Sequence, residues 1–287
     1  MKLSVSNLSK IYKLNLDETI NSGQVFLWKK IGRKWYGVDG NKILVLGNNE
    51  KFTKNLRYEF DFFRFDDNFE KITKELNKDR IVKNALKLFP GLRLLRQNPF
   101  QCYISFIVSS NSNISNIQKG LENLCRMFGK TKTVDGKDFF LFPEPVDLAN
   151  ASISNIQKCG VGYRAKAIKN ASLSVINGKI DFELLKKTDY YDAKNELKQV
   201  FGIGNKVADC ILLFSLEKLE AFPLDRWMLR ILHKYYSKEF QILTKTISEK
   251  TYETHHENIV EYFGKYAGYA QQFLFKMERE LYRKKWL

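Results

Sequence analysis

Lys206 and Asp225 are the two residues of this chain best suited to do chemistry together. The lysine offers a primary amine, a nucleophile when neutral, and the aspartate offers a carboxylate that can stabilise positive charge left by a departing group. They stand 19 residues apart, the lysine after Phe201-Gly202-Ile203-Gly204-Asn205 and the aspartate after Phe222-Pro223-Leu224. Each also has a purely structural reading. Lys206 can be a solvated lysine on a first helical turn, and Asp225, just ahead of Trp227, Met228, Ile231 and Leu232 at helical spacing, can be an N-cap.

The flanks of the glycine turn read as helices. Leu197 and Val200 recur at helical spacing before it, and Val207, Cys210, Ile211 and Phe214 recur at i, i+3, i+4 and i+7 after it. Gly202 and Gly204 therefore form the turn of a helix-hairpin-helix, whose exposed backbone N–H groups make an anion site. The positive end of a helix and partial burial both favour an uncharged amine, which is what a nucleophilic lysine needs.

Composition narrows the partner. The 287 residues carry 48 Lys plus Arg against 32 Asp plus Glu, a net charge of +16, which favours a polyanion such as nucleic acid. A hydrophobic content of 44% argues for a globular chain throughout, and no apolar run is long enough for a membrane span. Met1–Ile11 lacks the apolar stretch of a signal peptide, so the expectation is an intracellular protein. Cys102, Cys125, Cys159 and Cys210 are scattered without a C-x-x-C pair, so the spacing encodes neither a zinc ribbon nor an iron–sulfur cluster. His255 and His256 lie in a polar stretch and are expected at the surface rather than on a metal.

The fold class expected is α+β. Residues 1 to about 65 alternate apolar and polar positions between turn signals at Gly32-Arg33, Asp39-Gly40-Asn41 and Gly47-Asn48-Asn49, with strands at Val25–Ile31, Lys34–Val38 and Ile43–Leu46 in an antiparallel meander. From Phe69 onward helical periods dominate, broken by loops near Gln97-Asn98-Pro99, Thr131–Pro145 and Ile176-Asn177-Gly178. The expected division is a β-rich domain over 1–80 and a helical helix-hairpin-helix domain over 81–287. The aromatic run Arg57–Phe65 reads as core or domain junction.

Five segments, in order along nearly the whole chain, give it a family resemblance: Ser22-Gly23-Gln24-Val25-Phe26-Leu27-Trp28; Asn98-Pro99-Phe100 with Ser109–Ile114; Gly160-Val161-Gly162-Tyr163-Arg164-Ala165; Gly202–Cys210 with Asp225; and Tyr266–Phe275. With these the chain resembles the 8-oxoguanine DNA glycosylase/AP lyases of the helix-hairpin-helix superfamily, in the two-domain form. The resemblance implies that Lys206 attacks the sugar C1′ and forms a Schiff base, with Asp225 as its essential carboxylate. It implies that Phe275 and Cys210 sandwich a flipped purine, that Gln271 reads its Watson–Crick edge, and that the Gly23 carbonyl faces N7. It assigns Asn111 and Arg164 to reading the orphaned cytosine and Gly202 and Gly204 to a backbone phosphate, while Tyr163-Arg164 after Gly160-Val161-Gly162 reads independently as a second anion-binding glycine turn with an aromatic wedge, or equally as a structural turn. The implied partner is duplex DNA carrying 8-oxoguanine, bound by a monomer with no membrane role, in the cytoplasm of a prokaryote or the nucleus of a eukaryote. It implies no organic cofactor and no iron–sulfur cluster, and admits a structural monovalent cation at the hairpin.

Without the resemblance Phe275 and Cys210 read as core, Gln271 as a helix-surface amide and Gly23 as a strand-entry turn. Three positions depart from the family's pattern: Asn116 stands where animal members have an arginine, Trp227 where they have a histidine, and Phe201 where a proline often precedes the glycines. Two rivals share many of these features. A monofunctional glycosylase for alkylated or mismatched bases needs the aspartate but not Lys206, and a non-enzymatic DNA-binding protein needs only the charge and the glycine turns.

Overall fold

A computed structural model describes residues 14–47, 56–240 and 248–284. The Met1–Ile11 segment and Asn48-Asn49 of the third expected turn lie outside the described residues.

After a short helix α1 (Leu16–Ile20), three strands, β1 (Trp28–Ile31), β2 (Lys34–Asp39) and β3 (Lys42–Gly47), form an antiparallel sheet in chain order. Turns at Gly32 and Gly40, both at positive φ, join them. The expected first strand is shorter than its apolar pattern. Upstream of it, Gln24 donates to the Arg93 carbonyl and accepts from the Leu95 N–H, both at 2.8 Å, so the chain there is bound to the 93–95 segment.

The apolar–polar alternation suggests one wet face, but the sheet is covered on both. Tyr36, Val38, Ile43 and Val45 join the main core, whereas Trp28, Trp35, Leu44 and Leu46 pack with Phe62, Phe63 and Phe65 in a second one. The aromatic run thus closes the outer face as core. Gly37 is forced by this packing, because the Trp28 ring crosses the strand where a Cβ would sit, 2.1 Å from Cε2.

The helices that follow are α2 (Leu56–Phe62), α3 (Phe69–Leu76), α4 (Arg80–Leu88), α5 (Pro99–Val108) and α6 (Ile114–Phe128). Asn98 caps α5 and Pro99 occupies its first turn, where a missing N–H costs nothing. Asp39 at the end of β2 accepts the Asn98 N–H at 2.9 Å and the Tyr58 hydroxyl; burial pushes its carboxyl up to about 6.

The loop expected over Thr131–Pro145 is a correction. Residues Thr131–Val134 and Lys137–Phe140 are strands β4 and β5 of a hairpin, turned by Asp135 and Gly136 at φ of 51° and 67°. Asp-Gly is the pair that a two-residue turn with both central φ positive requires. Phe139 stacks on Tyr36 at 5.2 Å, which docks the hairpin against the sheet.

The remaining helices are α7 (Pro145–Asn150), α8 (Ile153–Ile156), α9 (Ala165–Ile176), α10 (Phe182–Lys187), α11 (Tyr190–Lys198), α12 (Asn205–Ser215), α13 (Arg226–Tyr235), α14 (Glu249–Phe263) and α15 (Ala267–Lys284). Helix α15 packs on α4 and α13, and its Gln272 donates to the Ser22 carbonyl at 3.1 Å. His256 is a second correction. It is only 1% exposed and stacks on Tyr190 at 4.9 Å, because α14 turns that face inward.

Candidate active site

The hairpin turn is built as its glycines require. Gly202 sits at φ of 91°, pressed so close to Ala167 that an added Cβ would lie 2.5 Å from that side chain. Gly204 is the N-cap of α12 and offers no side chain to satisfy the first N–H groups of the helix. An oxyanion would meet those donors and the positive end of the helix together.

Lys206 is half-buried on this first turn, with Nζ 3.2 Å from Ser109 Oγ at the end of α5 and 5.4 Å from the centre of the Phe106 ring. It opens into a cleft of about 1000 Å³ that Asn111, Gly202, Gly204 and Asp225 also line. Asp225 does cap α13, taking the Met228 N–H on Oδ1 at 2.8 Å, and it faces the same cleft as the lysine. The capping and chemical readings are therefore compatible: one carboxylate oxygen fixes the side chain.

Cys210 lies one turn along α12 from Lys206 and is buried. Burial pushes its thiol up to about 12 against the pull of the Lys206 ammonium, which leaves a neutral, polarizable sulfur.

A second group assembles around α15. Gln271 and Phe275 are one turn apart, and the Phe275 ring closes on Gly23, where an added Cβ would lie 3.1 Å from Cε1. At φ of 91° and with no room for a side chain, Gly23 presents bare backbone to whatever stacks there. Gln271 is buried, and its Oε1 has no hydrogen-bond partner among the described residues.

The outer group is held from the neighbouring turn. Gly160 and Gly162, at φ of 83° and 61°, lead into Tyr163, which is 67% exposed, and Arg164. Arg164 donates to the Ser110 carbonyl through Nε at 2.8 Å and to the Asn111 carbonyl at 3.2 Å, bracing a loop in which Asn111 is at φ of 48°. Tyr163 and Arg164 do not line the cleft; Arg164 reaches its wall through Asn111. Of the departures, Asn116 and Trp227 line the cleft, and Phe201 is exposed with Lys166 Nζ 5.0 Å over its ring.

Sequence reasoning assigned no role to Ser109, Arg279 or Asp209. Arg279 follows Phe275 by one helical turn, a spacing that would have found it, and its Nη1 lies 2.6 Å from where a Gly23 Cβ would be. Asp209, next to Cys210, is fully buried beneath the helix.

Comparison with known proteins gives two family matches, to the 8-oxoguanine DNA glycosylase N-terminal domain over residues 7–103 and to the HhH-GPD superfamily of base excision DNA repair proteins over residues 104–257. An N-glycosylase/DNA lyase of Arabidopsis thaliana is 30% identical over 286 residues, 93% of this chain and 78% of that protein. A "Probable N-glycosylase/DNA lyase" of Methanothermobacter thermautotrophicus is 32% identical over 70% of this chain and 68% of that protein. Among solved structures, the Clostridium acetobutylicum 8-oxoguanine glycosylase/lyase, in complex with double-stranded DNA containing cytosine opposite 8-oxoguanine, superposes with a TM-score of 0.82 at 29% identity, covering 93% of this chain and 92% of that one.

Proposed function

This chain belongs to the 8-oxoguanine DNA glycosylase/lyase family of the helix-hairpin-helix superfamily, and on that premise we propose that it excises 8-oxoguanine opposite cytosine through a Schiff base on Lys206 and then cleaves the strand. The observation that carries the reading is the meeting of Lys206 and Asp225 on one cleft behind an uncapped helix N-terminus. A DNA phosphate seated on that N-terminus brings the sugar of a flipped nucleotide to the amine. The amine attacks C1′ as the glycosidic bond breaks and the base leaves with its electron pair, while Asp225 stabilises the positive sugar. Opening of the sugar ring gives the Schiff base, loss of a C2′ proton follows, and the 3′ phosphate departs by β-elimination.

Recognition follows from hydrogen-bond sense. 8-Oxoguanine carries N7–H where guanine carries a lone pair, so the Gly23 carbonyl accepts from one and opposes the other. Phe275 and Cys210 provide the two faces of the slot and Gln271 the polar edge. Arg164 and Asn111 face the orphaned cytosine, with Tyr163 as a wedge against the opened duplex. At the hairpin, Asn205 Oδ1 is buried without a hydrogen-bond partner among the described residues, an acceptor that a monovalent cation there would satisfy.

Borohydride trapping on a duplex with one 8-oxoguanine tests the proposal. A covalent adduct in the wild type and none in Lys206→Gln is the expected result. Base release without an adduct selects the monofunctional rival, and binding without release selects the non-enzymatic one.

A further inference from the structure

Where Tyr252 lines the cleft, a buried polar cluster that the reaction does not itself use backs its wall. Asp209, on the helix that carries Lys206, accepts the Tyr252 hydroxyl at 2.5 Å and the Tyr190 hydroxyl at 2.6 Å, and pairs with Lys194 at 3.2 Å. Lys194 is itself held by Glu253 at 3.0 Å. Tyr252 and His256 are one turn apart on α14, and both reach the strap that delivers Asp225. The Leu224 N–H donates to the Tyr252 oxygen at 2.9 Å and the Phe222 N–H to His256 Nε2 at 3.2 Å. Pro223, between them, has no N–H to give. The same Nε2 lies 2.9 Å from the Tyr190 hydroxyl, which ties His256 to the Asp209 cluster, and burial holds His256 below its ordinary pKa, favouring the neutral ring that an accepting Nε2 requires.

We propose that Tyr252 and His256 are positioning residues for Asp225: they take both N–H groups of the Phe222–Leu224 strap and, through Asp209, lock it to the helix that carries Lys206. This rests on the reading of Lys206 and Asp225 given above. Core packing fixes the strap coarsely, with Phe222 and Leu224 buried and Phe222 stacked on Phe263 at 5.8 Å, and the two hydrogen bonds set the fine placement of Asp225, whose carboxylate the α13 cap holds from the far side. Losing one clamp lets the carboxylate drift without unfolding either helix, and misplacement by about 1 Å is enough to cost on the order of 100-fold in rate.

The experiment compares two substrates. Tyr252→Phe keeps the ring and loses both hydrogen bonds. Single-turnover base release from the 8-oxoguanine:cytosine duplex should fall by about 10–100-fold at saturating enzyme, with lesion-DNA affinity within about 2-fold. Borohydride trapping on a duplex with a preformed abasic site, where no base has to leave, should stay within about 3-fold of wild type. In an Asp225→Asn background Tyr252→Phe should cost almost nothing more, because the group it positions is already gone. His256→Gln, which keeps an acceptor, should retain the rate that His256→Leu loses, and this pair carries the test if Tyr252→Phe fails to fold. Equal loss on both substrates, additivity with Asp225→Asn, or indistinguishable His256 variants would overturn the proposal. A wild type that traps on neither substrate removes the reading of Lys206 and this inference with it.

Discussion

Two glycine turns open two helices of this molecule, and they converge on the same short segment. Gly160-Val161-Gly162 leads through Tyr163 and Arg164 into α9, and Arg164 braces the carbonyls of Ser110 and Asn111. Gly202-Ile203-Gly204 leads into α12, and Lys206 meets the Ser109 hydroxyl. The local chemistry of the turns is alike: glycines at positive φ, both of them in the first turn and Gly202 in the second, and a basic residue near a helix start. What differs is the surroundings. The first turn shows its aromatic side chain to solvent, whereas the second holds its lysine half-buried on a helix pinned from behind by Asp209. The lesson is that like glycine turns can end in unlike settings: one carries an exposed aromatic ring, the other a partly buried lysine on a helix held by Asp209.

The largest effect should separate the two turns outright. Lys206→Gln should abolish strand cleavage and trapping while lesion-DNA binding persists, measured by gel shift beside the trapping assay; a surviving adduct would assign the nucleophile to another amine. Next, Asp225→Asn keeps a capping side chain and removes the charge. Base release should fall by about 100- to 1000-fold while the melting temperature barely moves. Parallel losses of stability and rate would return Asp225 to a purely structural role.

Smaller effects belong to the grip. Tyr163→Ala should weaken lesion-DNA binding by about 1–2 kcal/mol through lost stacking, with the saturated rate of base release nearly unchanged. A fall in that rate instead would erase the distinction between the turns. The subtlest change concerns the partner strand. Asn116 is uncharged and shorter than the arginine found in animal members, so wrong bases opposite the lesion should be penalised less. Asn116→Arg should sharpen preference for cytosine by about 1–2 kcal/mol, read from single-turnover excision on the four duplexes that differ only opposite 8-oxoguanine. Strict cytosine selectivity in the wild type would remove the premise.

What could be read in advance follows the range of the interactions. The hairpin, Lys206 and the cap at Asp225 are local patterns, and the helical periods around them are strong. The β4–β5 hairpin has a legible signal in Asp135-Gly136, but strands of only four mostly exposed residues give it no apolar pattern to match. The two-sided burial of the sheet was not local. It depends on Phe62 and Phe63 folding back over Trp28, and on the helical core meeting the other face. His256 shows the same limit. Its neighbours in sequence are polar, and only the arrival of Tyr190 and Asp209 from other helices makes its position interior.

The contact between Gln272 and the Ser22 carbonyl joins residues 250 positions apart. The wall on which Gly23 meets Phe275 is therefore one of the longest loops the chain has to close, and its contact order is high. A chain emerging from the ribosome at about 5–20 residues per second completes the Gly202-Ile203-Gly204 turn seconds before α15 is available. A chain terminated between α12 and α15 would hold Lys206 and its glycine turn without the wall formed by Gly23 and Phe275. Because α15 follows α12 in the chain, that wall closes only after the Gly202-Ile203-Gly204 turn has been made.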